Sequence, residues 1–376
     1  MHVVHLIANN SSVPYFNWFA ERIGKYPDMK FSFVALYPDK PTLIEELRNR
    51  GCDAYWVRFD HRQRKAGMIT SFFRLFRLFR MLKPDAIHTH LFDDSLPALL
   101  AARLARVKIR VILKQDTAFH WNFKPIWVWA DRFNNINATH IVATSGESKK
   151  FILENEKARA SKVYMVHHGI DLKAIKMQDE NLKNKLKEQF NPRKGFLILT
   201  IARYIEWKGY RYIIEAAKTI IALNKNIKFL FAGYGEQEQE LQQLISTHGL
   251  NDYIQLTGWV DRNYIPSLFG IANIYLHAAV MEPFGFVIAE AMANGVPIVS
   301  TKTGVAADLL THKETCYFVE SRNGSSIAEG IAWMIEHLKE REEMKGKLET
   351  MAIESLGVDL MLEKYLKLYK GQLTNN

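Results

Sequence analysis

Residues 282–295 read E-P-F-G-F-V-I-A-E-A-M-A-N-G, and the rest of the chain is organised around them. An apolar, strand-like run at 274–280 leads in, Pro283 and Gly285 break it, and small and apolar residues continue to Gly295-Val296-Pro297. Pro and Gly at one end with Gly-x-Pro at the other punctuate a helix. The stretch therefore predicts a strand, a tight loop and a short helix. Its two carboxylates differ in position, since Glu282 lies on the loop and Glu290 about one turn inside the helix. The helix start offers the unpaired N–H groups of Gly285, Phe286 and Val287 and a partial positive charge, together a site for a phosphate. A ligand with a diphosphate at its middle would meet one carboxylate at each end. The alternative is a buried strand–helix unit whose two glutamates face solvent.

At 376 residues the chain can bury a large core, and its length predicts two domains. Apolar content of 48% and charged content of 24% are those of an ordinary globular protein. The net charge of +10 predicts anionic partners: phosphates, acidic glycans, lipid headgroups or nucleic acid. Cys52 and Cys316 stand far apart with no ligand-spaced neighbours, so neither a disulfide framework nor a zinc site is expected. The opening Met-His-Val-Val-His-Leu-Ile reads as a strand and not a signal peptide. Residues 263–281 carry no charge, but Pro266, Gly270 and His277 interrupt them, which predicts turn, helix and strand in place of a membrane span.

Strand-like runs at 2–7, 31–35, 54–57, 86–90, 107–113, 140–143 and 163–166 alternate with helical stretches at 15–26, 42–49, 69–82, 95–104 and 145–157. A polar stretch, 172–194, reads as a linker with one charged helix. A second series follows, with strands at 196–201, 228–232, 254–256, 274–277, 297–300 and 316–319 and helices at 210–223, 236–248, after Glu282, and 326–355. Alternation of this kind predicts an α/β protein of two doubly wound parallel sheets, with domains at 1–171 and 195–358. The last amphipathic helix, within 359–376, is expected to pack back on the first domain. Ligands of such sheets sit outside the carboxyl ends of the strands.

Further residues fall at those ends. Arg203 leaves the first strand of the second series and Lys208-Gly209 follows one loop later, where a guanidinium fork and an ammonium can both reach a diphosphate; the alternative is two solvated charges. Gly233-Tyr234-Gly235 makes a tight turn, but Glu238 replaces the third glycine of a dinucleotide fingerprint, so a nicotinamide cofactor is not expected. In Leu256-Thr257-Gly258-Trp259-Val260 the backbone near Gly258 and Val260 could read a nucleobase edge, or could simply be a sheet edge. Thr303-Gly304 returns a glycine turn, and Asp308 a carboxylate, to the same end.

Arg203 with Lys208-Gly209, Gly233-x-Gly235, Gly258, the Glu282/Glu290 pair with Ala-Met-Ala-x-Gly-x-Pro, and Gly304 with Asp308 occur in an order that resembles the retaining glycosyltransferase family 4, group 1. The match is strongest over residues 196–319, and His88-Thr-His90, Ser145 and Gly169-Ile-Asp171 extend it. The resemblance implies the glycosyltransferase-B fold, two facing Rossmann-like domains with a cleft between them, the first binding acceptor and the second a nucleotide-diphosphate sugar of UDP-sugar or GDP-mannose type. Arg203 and Lys208 would hold the diphosphate, Glu290 the ribose, and Glu282 with the amides near Gly285 and Phe286 the donor sugar. Two cations and a helix terminus would make a metal unnecessary, and no cofactor is implied. Transfer would retain anomeric configuration, to a glycan or lipid-linked acceptor in surface polysaccharide or lipopolysaccharide synthesis, at the cytoplasmic side of a membrane. An epimerase or phosphorylase on the same fold, or a catalytically silent binding subunit, are the alternatives.

The sequence departs from the family in places. Ala8-Asn9-Asn10-Ser11-Ser12 lacks the usual glycine pair, and Val305 replaces a second glycine after Gly304, with Asp308 where Glu is common. Where the family has a histidine near the reacting sugar this chain reads Lys114-Gln115-Asp116-Thr117, so that Asp116 by position or His120 by chemistry would serve. Residues 62–83 carry Arg62, Arg64, Lys65, Arg74, Arg77, Arg80 and Lys83 with no acid, interleaved with Phe72, Phe73, Phe76 and Phe79. Such a helix either lies on an anionic membrane surface or packs its phenylalanines on the sheet. No nucleic-acid recognition motif accompanies it.

Overall fold

The structure, a computed structural model, describes all residues except 11–13, 116, 117, 192, 193 and 376. Ser11, Ser12, Asp116 and Thr117 of the motifs above therefore lie outside the described residues. The chain divides into two compact units, Met1–His167 with Met361–Asn376, and His168–Leu360.

Each unit is built on one fully parallel sheet. In the first, β1 (His2–Ile7), β2 (Lys30–Tyr37), β3 (Asp53–Arg58), β4 (Ala86–Thr89), β5 (Ile109–Lys114), β6 (His140–Ala143) and β7 (Val163–Met165) lie in the order β3-β2-β1-β4-β5-β6-β7. In the second, β8 (Phe196–Ile201), β9 (Ile227–Ala232), β10 (Ile254–Leu256), β11 (Ile274–His277), β12 (Ile298–Thr301) and β13 (Cys316–Val319) lie in the order β10-β9-β8-β11-β12-β13. Both are Rossmann-like. Helices cover both faces of such sheets, so the inner strands read as continuous apolar runs, and β8, β9, β11 and β12 are almost wholly buried. Burying one such Leu, Ile or Phe stabilises the fold by about 1.5–3 kcal/mol. Strand order reverses between β1 and β4 and between β8 and β11, and at such reversals the loops splay apart and leave room for a ligand.

Several expectations are revised. The helix expected over 326–355 is two, Gly324–Glu336 and Leu338–Leu356. They part at His337, whose N–H and Nδ1 both meet the Trp333 carbonyl, at 2.9 and 3.0 Å, while its ring stacks on the Trp333 indole at 4.5 Å. The 172–194 stretch is part of the second unit and not a free linker. Asp179 caps its helix, Glu180–Phe190, by accepting from the N–H groups of Asn181 and Leu182, and Ile175, Leu186 and Phe190 enter the second core. A helix the sequence reading missed, Val128–Asn137, joins β5 to β6.

The basic helix runs Arg64–Leu82 and starts five residues before its expected start. Its phenylalanines largely pack inward: Phe79 is buried, Phe72 and Phe76 lie half-buried against the core, and Phe73 is 58% exposed. Among the described residues no helix is long and apolar enough to cross a membrane. The C-terminal residues 361–376 group with the first unit. There the Tyr369 hydroxyl lies 2.6 Å from Nδ1 of His88, itself buried in the middle of β4.

Candidate active site

At the β8/β11 reversal the second unit gathers the charges that the sequence singled out. Arg203 leaves the end of β8 exposed and makes no ion pair among the described residues. A short turn, Glu206–Lys208, then carries the chain to Gly209, which has φ +75° and opens the helix Tyr210–Leu223. A Cβ at Gly209 would strike the backbone oxygen of Ala278, so this turn is pressed against the end of β11. Val280 donates to the Trp207 carbonyl at 2.8 Å and closes the same contact.

This closure brings Lys208 onto Glu282. Lys208 Nζ donates to Oε2 of Glu282, and His277 Nε2 at the end of β11 lies 3.3 Å from the same oxygen. Burial pushes the Glu282 carboxyl upward, but the His277 hydrogen bond and the Lys208 charge outweigh it and hold it down at about 2. Burial lowers His277, so its ring is neutral at neutral pH. Its Nδ1 rests 3.2 Å from the hydroxyl of Tyr275.

Gly285, at φ +93°, turns the chain into the helix Phe286–Ala293. The N–H groups of Phe286 and Val287 in its first turn have no hydrogen-bond partner among the described residues, as the start of a helix requires. Gly304, at φ +51°, fits the next loop beneath: its Cβ would strike the Phe284 carbonyl, and Val305 N–H donates to that oxygen at 2.7 Å. Glu290 is buried one turn along, and its Oε1 accepts from Arg262 Nη2 at 2.6 Å. Burial raises the Glu290 carboxyl above the usual range, and Arg262 opposes this. Gly258, at φ +69°, follows β10, its carbonyl accepting from Gly233 N–H at 3.1 Å; Val260 lies half-buried against the core.

His277 and Arg262 were missed by sequence reasoning. The first carries a signal, a histidine at a strand's carboxyl end five residues before Glu282. Arg262 carries none, because only the fold brings it to Glu290.

The first unit holds a second polar site, at the ends of β4 and β5. A cavity of about 250 Å³ is lined by Phe92, Ser95, Lys114, Gln115, Asp131 and Asn134 among others. His120, in the short helix Phe119–Phe123, is buried with Nδ1 2.8 Å from Oδ2 of Asp131. Lys114 Nζ lies 3.4 Å from the other Asp131 oxygen and 3.1 Å from Glu156. Burial raises Asp131, yet the His120 hydrogen bond and the Lys114 charge prevail and keep it below the usual range. An ionised carboxylate only accepts, so His120 carries a proton on Nδ1 and turns Nε2 away from Asp131.

Comparison with known proteins identifies the family. The family described as "Glycosyl transferases group 1" matches residues 182–349, and "Glycosyltransferase Family 4" matches residues 25–174. The UDP-Gal:alpha-D-GlcNAc-diphosphoundecaprenol alpha-1,3-galactosyltransferase of Escherichia coli is 28% identical over 244 residues, 62% of this chain and 62% of that protein. The capsular polysaccharide biosynthesis glycosyltransferase CapM of Staphylococcus aureus is 24% identical over 288 residues, 73% of each chain. Several other curated relatives are matched over about three fifths of their length. Among solved structures, Anabaena HepE in complex with UDP superposes with a TM-score of 0.83 at 18% identity, covering 99% of this chain and 100% of that one. Two Rossmann-like sheets, a Lys–Glu pair at the second reversal and family matches over most of the sequence lead to one assignment: the chain belongs to glycosyltransferase family 4, group 1, of the glycosyltransferase-B fold.

Proposed function

We propose that this glycosyltransferase moves a sugar from a nucleotide-diphosphate sugar, of UDP-sugar or GDP-mannose type, to a glycan or lipid-linked acceptor in surface polysaccharide or lipopolysaccharide synthesis. The observation that carries the donor half is the Lys208–Glu282 pair at the β8/β11 reversal, with Arg203 exposed on the same loop and two unbonded N–H groups opening the next helix. A diphosphate satisfies that set: Arg203 and Lys208 as cations, Phe286 and Val287 as N–H donors. These groups neutralise it without a metal. Glu282 accepts from hydroxyls of the donor sugar, and Glu290 from the ribose. The names of the E. coli and S. aureus relatives support a lipid-linked or polysaccharide acceptor.

A carboxyl held at about 2 is a weak base, so Glu282 orients sugar and does not take the acceptor's proton. That proton passes to an oxygen of the leaving diphosphate as the sugar C1–O(phosphate) bond breaks and the C1–O(acceptor) bond forms on the same face, with retention. Arg203 and Lys208 stabilise the departing charge. In the first unit, the His120–Asp131 bond favours His120 over Asp116 as the group that meets the reacting sugar or acceptor. Such a reaction takes place at the cytoplasmic side of a cell membrane.

The test is calorimetric titration with UDP, GDP, ADP and dTDP in EDTA, repeated on Arg203→Ala. One nucleotide is expected to bind, about thirtyfold more weakly in the variant, the effect of losing a charge-assisted hydrogen bond. Failure of all four to bind would overturn the donor assignment.

A further inference from the structure

The helix Val128–Asn137 is built inside out. Asp131, Asn134, Asn135 and Asn137 are buried, Asp131 and Asn134 against the cavity, while Trp129 is 56% and Ile136 66% exposed. Soluble helices place these classes the other way round. The turn leading into it continues the pattern, with Phe123 47% and Ile126 74% exposed.

This helix packs beside Phe92–Leu104, which packs beside the basic helix Arg64–Leu82, so the three form one layer on the first sheet. Arg64 ties its two ends together. Its guanidinium lies 5.0 Å from the rings of both Phe92 and Trp127 and is bonded to Asp93. The outer side of the layer also exposes Ile69 and Phe73, at 62% and 58%.

Its charge has one sign. Arg64–Leu82 contains no acid; on the middle helix Asp93 is paired with Arg64 and Asp94 is buried; on the inside-out helix Asp131 is buried against His120 and Lys114. What reaches solvent is basic, including Arg74, Arg77, Arg80 and Arg132.

We infer that this three-helix layer docks the protein on an anionic lipid bilayer, its arginines at the headgroups and Phe73, Ile126 and Trp129 in the boundary beneath them. Large exposed apolar and indole side chains among exposed arginines match that interface. A nucleic acid would match only the charge, and a second copy of the chain would set like charges against each other. The inference goes beyond the transferase assignment and does not depend on it, since its readout is sedimentation.

The experiment is co-sedimentation of the full chain with phosphatidylcholine vesicles, with and without phosphatidylglycerol, at low and high salt. The expected result is binding to the anionic vesicles alone at low salt. The double variant Arg77→Glu/Arg80→Glu should bind at least about twentyfold more weakly, at about fivefold per lost cation. Phe73→Ser/Trp129→Ser should likewise weaken binding to the anionic vesicles at low salt. All four side chains are exposed, and unchanged thermal melts would show that the variants are folded. Equal sedimentation with neutral vesicles, or no effect of either variant, overturns the inference. So does dimerisation in ultracentrifugation that Trp129→Ser abolishes, since that assigns the face to a second copy.

Discussion

At the β8/β11 reversal the loops leave donors unspent: among the described residues Arg203 has no acid partner, and the first N–H groups of the helix Phe286–Ala293 have no acceptor. At the β1/β4 reversal the same kind of opening is closed from within. Asp94, fully buried, accepts from the N–H groups of Ala8 at 3.0 Å, His90 at 3.1 Å and Leu91 at 2.9 Å, so the loops after β1 and β4 are laced together by the chain's own carboxylate. One sheet thus leaves N–H groups uncovered at its reversal, and the other covers them with a side chain of its own, although burial pushes the Asp94 carboxyl well above the usual carboxylate range. The polar cavity of the first unit accordingly lies one strand along, at the ends of β4 and β5. Two sheets of similar topology can differ in which crevice they offer because a single buried acid fills one of them.

The sharpest way to break this contrast is to remove the cations of the open reversal one at a time. Lys208→Met strands the buried Glu282 carboxylate and should cost about 3–5 kcal/mol of stability as well as nucleotide affinity. Arg203→Ala touches no partner, and should lower affinity while leaving stability within about 0.5 kcal/mol. Urea unfolding of both, beside the titrations, decides this, and equal losses of stability would mean that Arg203 is held as firmly as Lys208.

A pH series sharpens the same point. Glu282 is depressed from 4.5 to about 2, so its contribution is fully present above pH about 4.5 and is lost as pH falls from there toward 2. The wild type should lose up to about 3 kcal/mol across that window beyond what Glu282→Gln loses. Parallel acid unfolding of the two proteins would show that Lys208 and His277 do not hold the carboxylate.

The smallest expected effect lies at the closed reversal. Asp94→Asn removes one acceptor oxygen from three N–H groups and should destabilise by about 2 kcal/mol, with nucleotide titration unchanged. A large change in nucleotide affinity would mean that the β1/β4 loops serve the donor after all.

How much of this could be read in advance follows from the distance at which each interaction acts. The placement of Arg203, Lys208, Glu282 and Glu290 in the second unit is legible because each sits at a fixed offset from a strand end or helix start, where backbone geometry assigns the direction. Their partners are not legible: Arg262 stands 28 residues from Glu290, and nothing near either announces the pair. In the first unit the signal inverts. Asp131 and the asparagines after it look like a solvated surface, and Trp129 and Ile136 look like core, so pattern reading finds no helix there and would have buried the wrong side of it. A helix with a polar cavity behind it and an exposed apolar face before it defeats any rule that equates apolar with inside.

The hydroxyl of Tyr369 against His88 has a consequence in time. The strand that holds His88 leaves the ribosome early, whereas its partner is encoded after the whole of residues 168–360. At about 5–20 residues per second, translation of that intervening unit takes about 10–40 s. Through that interval the nascent first sheet waits with His88, and the pocket that Tyr365 and Tyr369 later fill, uncovered. The first unit therefore receives the His88 partner only after the chain of the second unit has been made.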